Sequence, residues 1–430
     1  MSNKNIELLN IQEGSHVVVP EYLKKEYLEK GYLVLPSNKF IKKSLLIFSI
    51  NFWRKIIFIF NFSIKNKFYW KFPPEQEIII FDDENIDVLK KIFTKQDYFI
   101  LPTRLNKIKV IYICKEILFY LIKNFFRRSI KQNYLVSLIK IIKPKKVITF
   151  IDNSEDFFLV SKILKNENIR FIAIQNSHRY EIHAKNKNIH IPKYFVFGNH
   201  EVEIFKKNLG IKEIKPIGSL SAAVAKQYLL NNETNIKSDR FDICLISEPR
   251  IKLNHDFKRI HKLYDVQEHV GLIAEYTLKF CKKNNKSIIF SGKSDRKSLN
   301  FQSQEKKFYQ KFLKNSDVKI SFNDKKKFEQ YKNLMESNLI IGMSSTLLRD
   351  AFEFKKKILI CNFIDHEDTR APTTGICTLN STIYSDFENR VNKILSMSYE
   401  EYLNEIKDVN FIYNMETNAL DFLKNELIEK

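Results

Sequence analysis

Short apolar runs alternate with longer helical stretches along the whole chain. The runs are rich in β-branched and aromatic residues, which is typical of strands. Such nearly continuous apolar strands indicate parallel sheets that helices cover on both faces, so the pattern predicts an α/β fold. The strands predicted in the first half are His16–Val19, Tyr32–Leu35, Glu77–Ile80, Tyr98–Leu101, Lys146–Ile151, Arg170–Ile174, Tyr194–Phe197 and a segment before Gly218.

A polar stretch, Asn231–Asp239, interrupts the alternation and is the predicted linker. The strands predicted beyond it are Phe241–Ser247, Ser287–Gly292, Val318–Phe322, Asn338–Gly342 and Lys357–Asn362. Because 430 residues exceed what one core usually organises, two domains are expected, 1–230 and 240–398. A C-terminal helical segment, 399–430, is expected to pack back on the first domain. Two doubly wound sheets place a ligand cleft between the domains.

Charge narrows the class of partner. The formal net charge is +22, which favours nucleic acid, anionic lipid or phosphorylated substrates, although lysines can also reflect codon bias. No nucleic-acid partner is expected, because no motif of that kind is present. The five cysteines show no CxxC pairing and the N-terminus lacks the apolar core of a signal peptide, so a reducing cytoplasm is predicted.

Two stretches combine apolar and basic residues, Ser44–Ile64 and Val110–Lys131. Arg54 and Lys55 lie near the centre of the first, where each would cost about 2.5–3.5 kcal/mol in a bilayer, so a spanning helix is disfavoured. Helices lying in the plane of an anionic inner membrane surface fit both stretches. Ordinary core helices of a basic protein fit them equally well.

The most specific local signal is a strand ending at Gly342 and followed by Ser344, Ser345 and Thr346 at the start of a helix. Free amides and hydroxyls at such a start can bind a phosphate. The alternative is that a serine only caps the helix.

Other residues extend this predicted phosphate site. Asp350 and Glu353 follow on the same helix, where a carboxylate can accept hydrogen bonds from ribose hydroxyls. Arg250, Gly292 and Lys293 follow two neighbouring strands, where a guanidinium fork, backbone amides and an ammonium suit an anionic ligand.

In the first half, polar residues follow two strands at their carboxyl ends. Asp152 and His178 are the candidate bases that would take a proton from an acceptor hydroxyl. Asp152 could instead cap the next helix. Asn153, Gln175 and Asn176 are the candidate acceptor-binding residues.

No metal constellation, GxGxxG, Walker loop or GxSxG occurs in a convincing context. Neither a metal nor a cofactor is therefore expected, and helix ends and cationic side chains would meet the phosphate charge.

Four segments in order resemble a family of surface carbohydrate biosynthesis proteins from lipopolysaccharide O-antigen and capsule gene clusters. These segments are Lys143–Leu164, Arg170–Arg179, Ile191–Gly210 and Lys215–Leu220. The Ser-Ser-Thr helix is similar to the donor half of GT-B glycosyltransferases and of related glycerophosphotransferases. This similarity implies that the donor-binding residues are Arg250, Gly292, Lys293, Ser344, Ser345, Thr346, Asp350 and Glu353. The resemblance implies a GT-B-like fold, two Rossmann-like domains facing a central cleft.

The resemblance also implies a metal-independent glycosyltransferase at the inner membrane. Its substrates would be a nucleotide-sugar donor, with a CMP-sugar favoured over UDP and GDP sugars, and a lipid-linked glycan acceptor. Transfer of a polyol phosphate such as glycerol phosphate from a CDP donor is one alternative. A non-catalytic basic protein that binds membranes or nucleic acid is another.

Overall fold

A computed structural model describes most of the chain from residue 67 onward and two short segments before it. The described residues are 16–18, 33–35, 67–93, 98–104, 110–179, 181–232, 240–249, 264–295, 298–313, 320–324, 327–363, 375–407 and 418–428. The apolar stretch Ser44–Ile64, residues 233–239 of the predicted linker and Arg250 lie outside them.

Every predicted strand has a counterpart among the strands of the structure. In chain order they are β1 (His16–Val18), β2 (Leu33–Leu35), β3 (Lys67–Tyr69), β4 (Ile78–Phe81), β5 (Phe99–Leu101), β6 (Val110–Tyr112), β7 (Lys146–Thr149), β8 (Arg170–Ile174), β9 (Ile191–Val196), β10 (Ile211–Pro216), β11 (Phe241–Ile246), β12 (Ile288–Asp295), β13 (Ile320–Asn323), β14 (Ser337–Gly342), β15 (Lys357–Cys361) and β16 (Thr378–Leu379).

Helices occupy most of the segments between the strands. They are α1 (Ile86–Leu89), α2 (Lys115–Lys123), α3 (Ile130–Ile142), α4 (Glu155–Ile163), α5 (Glu181–Ala184), α6 (Asn199–Phe205), α7 (Leu220–Asn232), α8 (Tyr264–Lys283), α9 (Leu299–Phe312), α10 (Glu329–Met335), α11 (Thr346–Asp350), α12 (Tyr384–Ser396), α13 (Tyr399–Asn404) and α14 (Ala419–Ile428). A 3₁₀ turn, Ala351–Phe354, continues α11.

The chain divides into two compact units. One consists of 1–69 with 109–111, and the other of 70–108 with 112–430. In the first unit β1 pairs in parallel with β2, and β3 pairs with β6. The second unit contains both large sheets.

The first large sheet has six parallel strands in the order β10-β9-β8-β7-β4-β5. Successive side chains of a strand point to opposite faces. In β4, Ile79 and Phe81 accordingly join one core cluster, with residues of α3 and α4. Ile78 and Ile80 join the other, with residues of α7 and α14. Both faces are covered, as the apolar strand pattern predicts.

The second large sheet has six parallel strands in the order β13-β12-β11-β14-β15-β16. The order reverses between β11 and β14, because β12 and β13 continue on one side and β15 and β16 on the other. Ligands of open parallel sheets collect at the carboxyl ends of the strands beside such a reversal. The segments that follow Ile246 and Gly342 therefore form the expected ligand edge.

The C-terminal segment packs on both halves of this unit. Tyr402 of α13 belongs to the core of the second sheet. Leu420 and Leu423 of α14 belong to a core cluster of the first sheet. The Lys146 ammonium donates to the carbonyl of Leu427 at 2.6 Å, where a cation stabilises the end of a helix. The predicted domain boundaries themselves stay predictions.

The stretch Val110–Lys131 is not one helix. Its β-branched start forms strand β6, and α2 then ends where the Asn124 amide donates to the carbonyl of Tyr120 at 3.0 Å. Ser129 and Gln132 form a capping box that starts α3. The boundary depends on caps, which the apolar pattern alone does not reveal.

Across the part of the chain that the structure describes, no helix has the length and apolarity to cross a bilayer. Within the same residues, no group of three His, Cys, Asp or Glu side chains could hold a metal ion.

Candidate active site

A cleft of about 510 Å³ opens at the carboxyl ends of the two sheets of the second unit. The second sheet supplies residues at or just after the ends of β11, β12, β13 and β14, together with residues of α10 and α11. The first sheet's side supplies Asn85, Asp87, Val88, Asn176 and Ser221. The cleft therefore lies at the edge that the strand order of the second sheet selects.

Predicted donor-binding residues form one wall of this cleft. Ser344, Ser345, Thr346 and Asp350 line it, as does Lys293, which follows the buried part of β12. The Ser345 hydroxyl accepts a hydrogen bond from the amide of Leu347 at 3.3 Å and so caps α11. The Thr346 hydroxyl accepts one from the amide of His178 at 3.0 Å. Each hydroxyl retains its own proton to donate to a ligand.

The carboxylate of Glu248 occupies part of the amide-rich start that was predicted to hold a phosphate. It accepts hydrogen bonds from the amides of Met343 at 2.7 Å and Ser344 at 3.1 Å, and from the Ser344 hydroxyl at 2.9 Å. Gly342 permits this approach, because a Cβ there would lie 3.0 Å from the Glu248 Oε1 atom. The amides of residues 343 and 344 are thus satisfied internally. The groups that remain on this wall to bind a ligand phosphate are the hydroxyls of Ser345 and Thr346 and the ammonium of Lys293.

Asp350 lies almost buried on the cleft wall, at 2% exposure, and accepts a hydrogen bond from the Tyr331 hydroxyl at 3.0 Å. Burial and the neighbouring carboxylate raise the pKa of Tyr331 well above its usual value, so the phenol keeps the proton that it donates. The position suits a carboxylate that accepts hydrogen bonds from ribose hydroxyls.

Two other predicted donor residues do not line the cleft. Glu353 faces α7, where the ammonium of Lys226 contacts its side chain at 3.4 Å and its carbonyl at 3.0 Å. Gly292 packs β12 against β13, because a Cβ there would lie 2.8 Å from Ile320 Cγ2. Gly292 and Glu353 thus make contacts between neighbouring elements, which the sequence alone did not predict.

Asp152 is held in a buried polar cluster rather than facing the cleft. Its oxygens accept hydrogen bonds from the Arg179 guanidinium, with Nε at 2.8 Å, and from the Tyr194 hydroxyl. Its side chain is fully buried. Although burial alone would lower the pKa of Arg179, Asp152 raises it. A base must reach the acceptor hydroxyl, so this geometry gives Asp152 a positioning role in the segment after β8.

His178 is likewise engaged by charged neighbours. Its Nδ1 atom lies 3.0 Å from Arg349 Nη1 and 3.6 Å from Glu201 Oε1. Since a guanidinium only donates, Nδ1 accepts and the imidazole is neutral. Burial, opposed by Glu201, lowers the pKa of His178 to about 4. This geometry does not favour the predicted base role, because such an imidazole is a weak base near neutral pH.

The ion pair of Arg349 with Glu201 is the main feature that the sequence did not reveal. Arg349 lies on α11 and Glu201 on α6, and both are at most 1% exposed. Although burial alone would raise the pKa of Glu201, Arg349 holds it well below its usual range. The pair joins the two domains beside the cleft. The one local feature of the sequence that could have drawn attention to Glu201 is its position in the first turn of α6. There its carboxylate accepts a hydrogen bond from the Gly198 amide at 3.1 Å.

Of the predicted acceptor-binding residues, Asn176 lines the cleft. Gln175 is buried and holds the backbone of Ser177 and Phe197, each at 2.8 Å. Asn153 is exposed and is not among the residues that line the cleft. Sequence reasoning missed Asp87, a carboxylate on α1 that lines the cleft from the side of the first sheet.

Comparison with known proteins agrees with the fold and with the resemblance. Residues 172–365 match a family model described as "putative O-antigen biosynthesis protein". No curated protein sequence matches significantly.

Solved structures share the architecture at low sequence identity. The UDP-GlcNAc 2-epimerase of Methanocaldococcus jannaschii is 14% identical with a TM-score of 0.51, over 82% of this chain and 99% of that one. A protein of Listeria monocytogenes described as the same type of epimerase is 11% identical with a TM-score of 0.50, over 83% of this chain and 98% of that one. The GT-B-like fold of two Rossmann-like domains is thus confirmed, and over residues 172–365 this chain matches an O-antigen biosynthesis family.

Proposed function

We propose that the protein is a glycosyltransferase that moves a sugar from a nucleotide-sugar donor to a lipid-linked glycan during synthesis of a bacterial surface polysaccharide. The observation that carries the proposal is the cleft wall on which Ser345, Thr346, Lys293 and Asp350 lie together. The volume of the cleft, about 510 Å³, is within the usual range for small-molecule sites. Epimerases named for UDP-GlcNAc adopt the same fold, so the fold accommodates a nucleotide sugar.

Each residue of the wall has a role in this proposal. Asp350 accepts hydrogen bonds from the ribose, and the hydroxyls of Ser345 and Thr346 donate to a phosphate oxygen. The Lys293 ammonium supplies the positive charge that stabilises the leaving phosphate as the glycosidic bond to the donor breaks. The first domain binds the acceptor through Asn176, and the protein works at the cytoplasmic face of the inner membrane.

The Glu248 carboxylate favours a donor of low phosphate charge. It places a negative charge beside the phosphate position and takes two amides that would otherwise bind a second phosphate. A CMP-sugar has a single phosphate, whereas UDP and GDP sugars have two. This contrast supports the CMP-sugar donor class.

Asp87 is the proposed base. It lines the cleft from the acceptor side, and its side chain is 86% exposed, so an acceptor hydroxyl could reach it. Asp152 and His178 then act as positioning residues that hold the segment around Asn176. Their own neighbours already occupy the atoms that a base would use.

A thermal-shift screen against CMP, CDP, UDP and GDP tests the donor site. A ligand that binds only the folded state raises its stability by RT ln(1 + [L]/Kd). We expect cytidine nucleotides to raise the melting temperature most, and a larger shift with UDP or GDP would contradict the CMP-sugar assignment. No shift with any nucleotide would contradict the donor site itself. Analysis of the product distinguishes the two enzymatic hypotheses, because a glycosyltransferase yields a transferred sugar and the alternative enzyme yields a transferred polyol phosphate.

A further inference from the structure

Helix α2 and the turn after it present large apolar side chains to solvent. Phe119 is 68% exposed, Ile122 75% and Phe126 64%, with Leu118 at 39%. Ile117, on the opposite side of the helix, is fully buried in the core of the first sheet. Leu118, Phe119 and Ile122 follow helical spacing and so share one face, and Phe126 lies in the turn just after the helix. We call Leu118, Phe119, Ile122 and Phe126 the apolar face of α2.

Basic side chains surround this face. Lys115, Lys123 and Arg127 are exposed and Arg128 is half-buried, while the one acidic residue of the segment 115–128 is Glu116. The segment therefore has four basic residues against one acidic residue, a formal charge of +3. Exposed apolar side chains flanked by cations are typical of helices that lie in a membrane interface.

We propose that the apolar face of α2 docks on an anionic lipid bilayer, with Phe119, Ile122 and Phe126 entering the head-group boundary. The basic residues around it would contact anionic head groups. A second copy of the chain fits less well, because a twofold contact through this face would bring the same cations together. Leu209 and Leu299 are exposed leucines outside the apolar face of α2, at 100% and 77% exposure, and they serve as controls.

This inference does not rest on the transferase proposal, because lipid binding needs neither donor nor activity. If both hold, the membrane holds the protein close to a lipid-linked acceptor. Failure of one leaves the other standing.

Co-sedimentation of the full chain with vesicles tests the inference. We expect binding to phosphatidylcholine vesicles that contain phosphatidylglycerol, weak binding to phosphatidylcholine alone, and loss of binding at high salt. The double variant Phe119→Ser/Ile122→Ser should weaken binding about tenfold or more, because it removes two apolar side chains that would enter the bilayer. Lys123→Gln/Arg127→Gln should weaken it by a similar factor, at about 1 kcal/mol for each charge.

The matched control is Leu209→Ser/Leu299→Ser, which removes two exposed leucines elsewhere and should bind as the unchanged protein does. Circular dichroism of all variants checks the fold. Equal vesicle binding by the Phe119→Ser/Ile122→Ser variant and the control would overturn the inference. A second outcome would also overturn it: the unchanged protein is a dimer that does not bind vesicles, and only the Phe119→Ser/Ile122→Ser variant is a monomer. The face would then be a contact between copies.

Discussion

At the scale of single residues, Glu248 has the largest effect on how the cleft can bind an anion. Its carboxylate bonds the amides of Met343 and Ser344 in the way a bound phosphate would. Two consequences follow from this one contact. The carboxylate stabilises the turn before α11, and its charge disfavours a second phosphate beside it.

Glu248→Gln separates these two effects. The variant should lose about 1–3 kcal/mol of stability, because one acceptor oxygen is replaced by a donor amide that faces backbone N–H groups. It should also bind CDP more tightly relative to CMP than the unchanged protein does. Urea unfolding measures the first effect and isothermal titration calorimetry the second. An unchanged CDP-to-CMP ratio would show that the carboxylate does not select the donor.

Asp350→Asn should weaken cytidine nucleotide binding about tenfold or more, since a hydrogen bond to a charged group contributes about 1.5–3 kcal/mol. Tyr331→Phe is the matched control. It removes the neighbour's hydrogen bond, 3.0 Å long, and keeps the carboxylate, so it should reduce stability more than affinity. Calorimetric titration of both variants distinguishes a ribose contact from a purely structural role.

His178 makes stability depend on pH. Its pKa is about 4 in the folded chain against an ordinary value of 6.5, so between these values the unfolded chain binds a proton that the folded chain does not. Stability should therefore fall as the pH drops from 6.5 towards 4, by about 3 kcal/mol from this group. His178→Gln should flatten that part of the curve of urea midpoint against pH. A curve of unchanged slope would refute the buried neutral imidazole.

At the scale of elements, α11 is fastened to α6 by the ion pair of Arg349 with Glu201. Removing one partner leaves a buried charge, so Arg349→Met should cost about 3–5 kcal/mol. The double variant Arg349→Met/Glu201→Gln should cost less than the sum of the single ones. The pair of exposed Lys283 and half-buried Glu388 at the surface provides the control, and Lys283→Met should leave the urea midpoint nearly unchanged. Strict additivity of the two buried substitutions would contradict the coupling.

Elements and contacts differ in how far a sequence predicts them. The strands were predictable because β-branched runs such as Val147 and Ile148 report their own burial locally. The partners of Asp152 and His178 were not, because Tyr194 and Arg349 lie 42 and 171 residues away in the chain. Glu248 reaches Met343 across 95 residues. The predicted helix starts and strand ends identified the sheet edge at which the site lies. Only the fold shows which polar atoms at that edge are already hydrogen-bonded within the protein.

At the scale of the whole molecule, two parallel sheets direct their carboxyl ends to one cleft, and the residues on its wall come from widely separated segments. Lys293 lies near the end of β12, Thr346 opens α11 and Asn176 follows β8. In the proposed function, one domain binds the donor while the other presents the acceptor. The buried contacts of His178 with Thr346 and Arg349 keep the two walls in register.

A crystal structure of the protein with CMP tests the central claim most directly. We predict the ribose hydroxyls within hydrogen-bond distance of the Asp350 carboxylate, and a phosphate oxygen within reach of the Ser345 or Thr346 hydroxyl and of Lys293. CMP bound outside this cleft, or with its phosphate turned away from α11, would contradict the account.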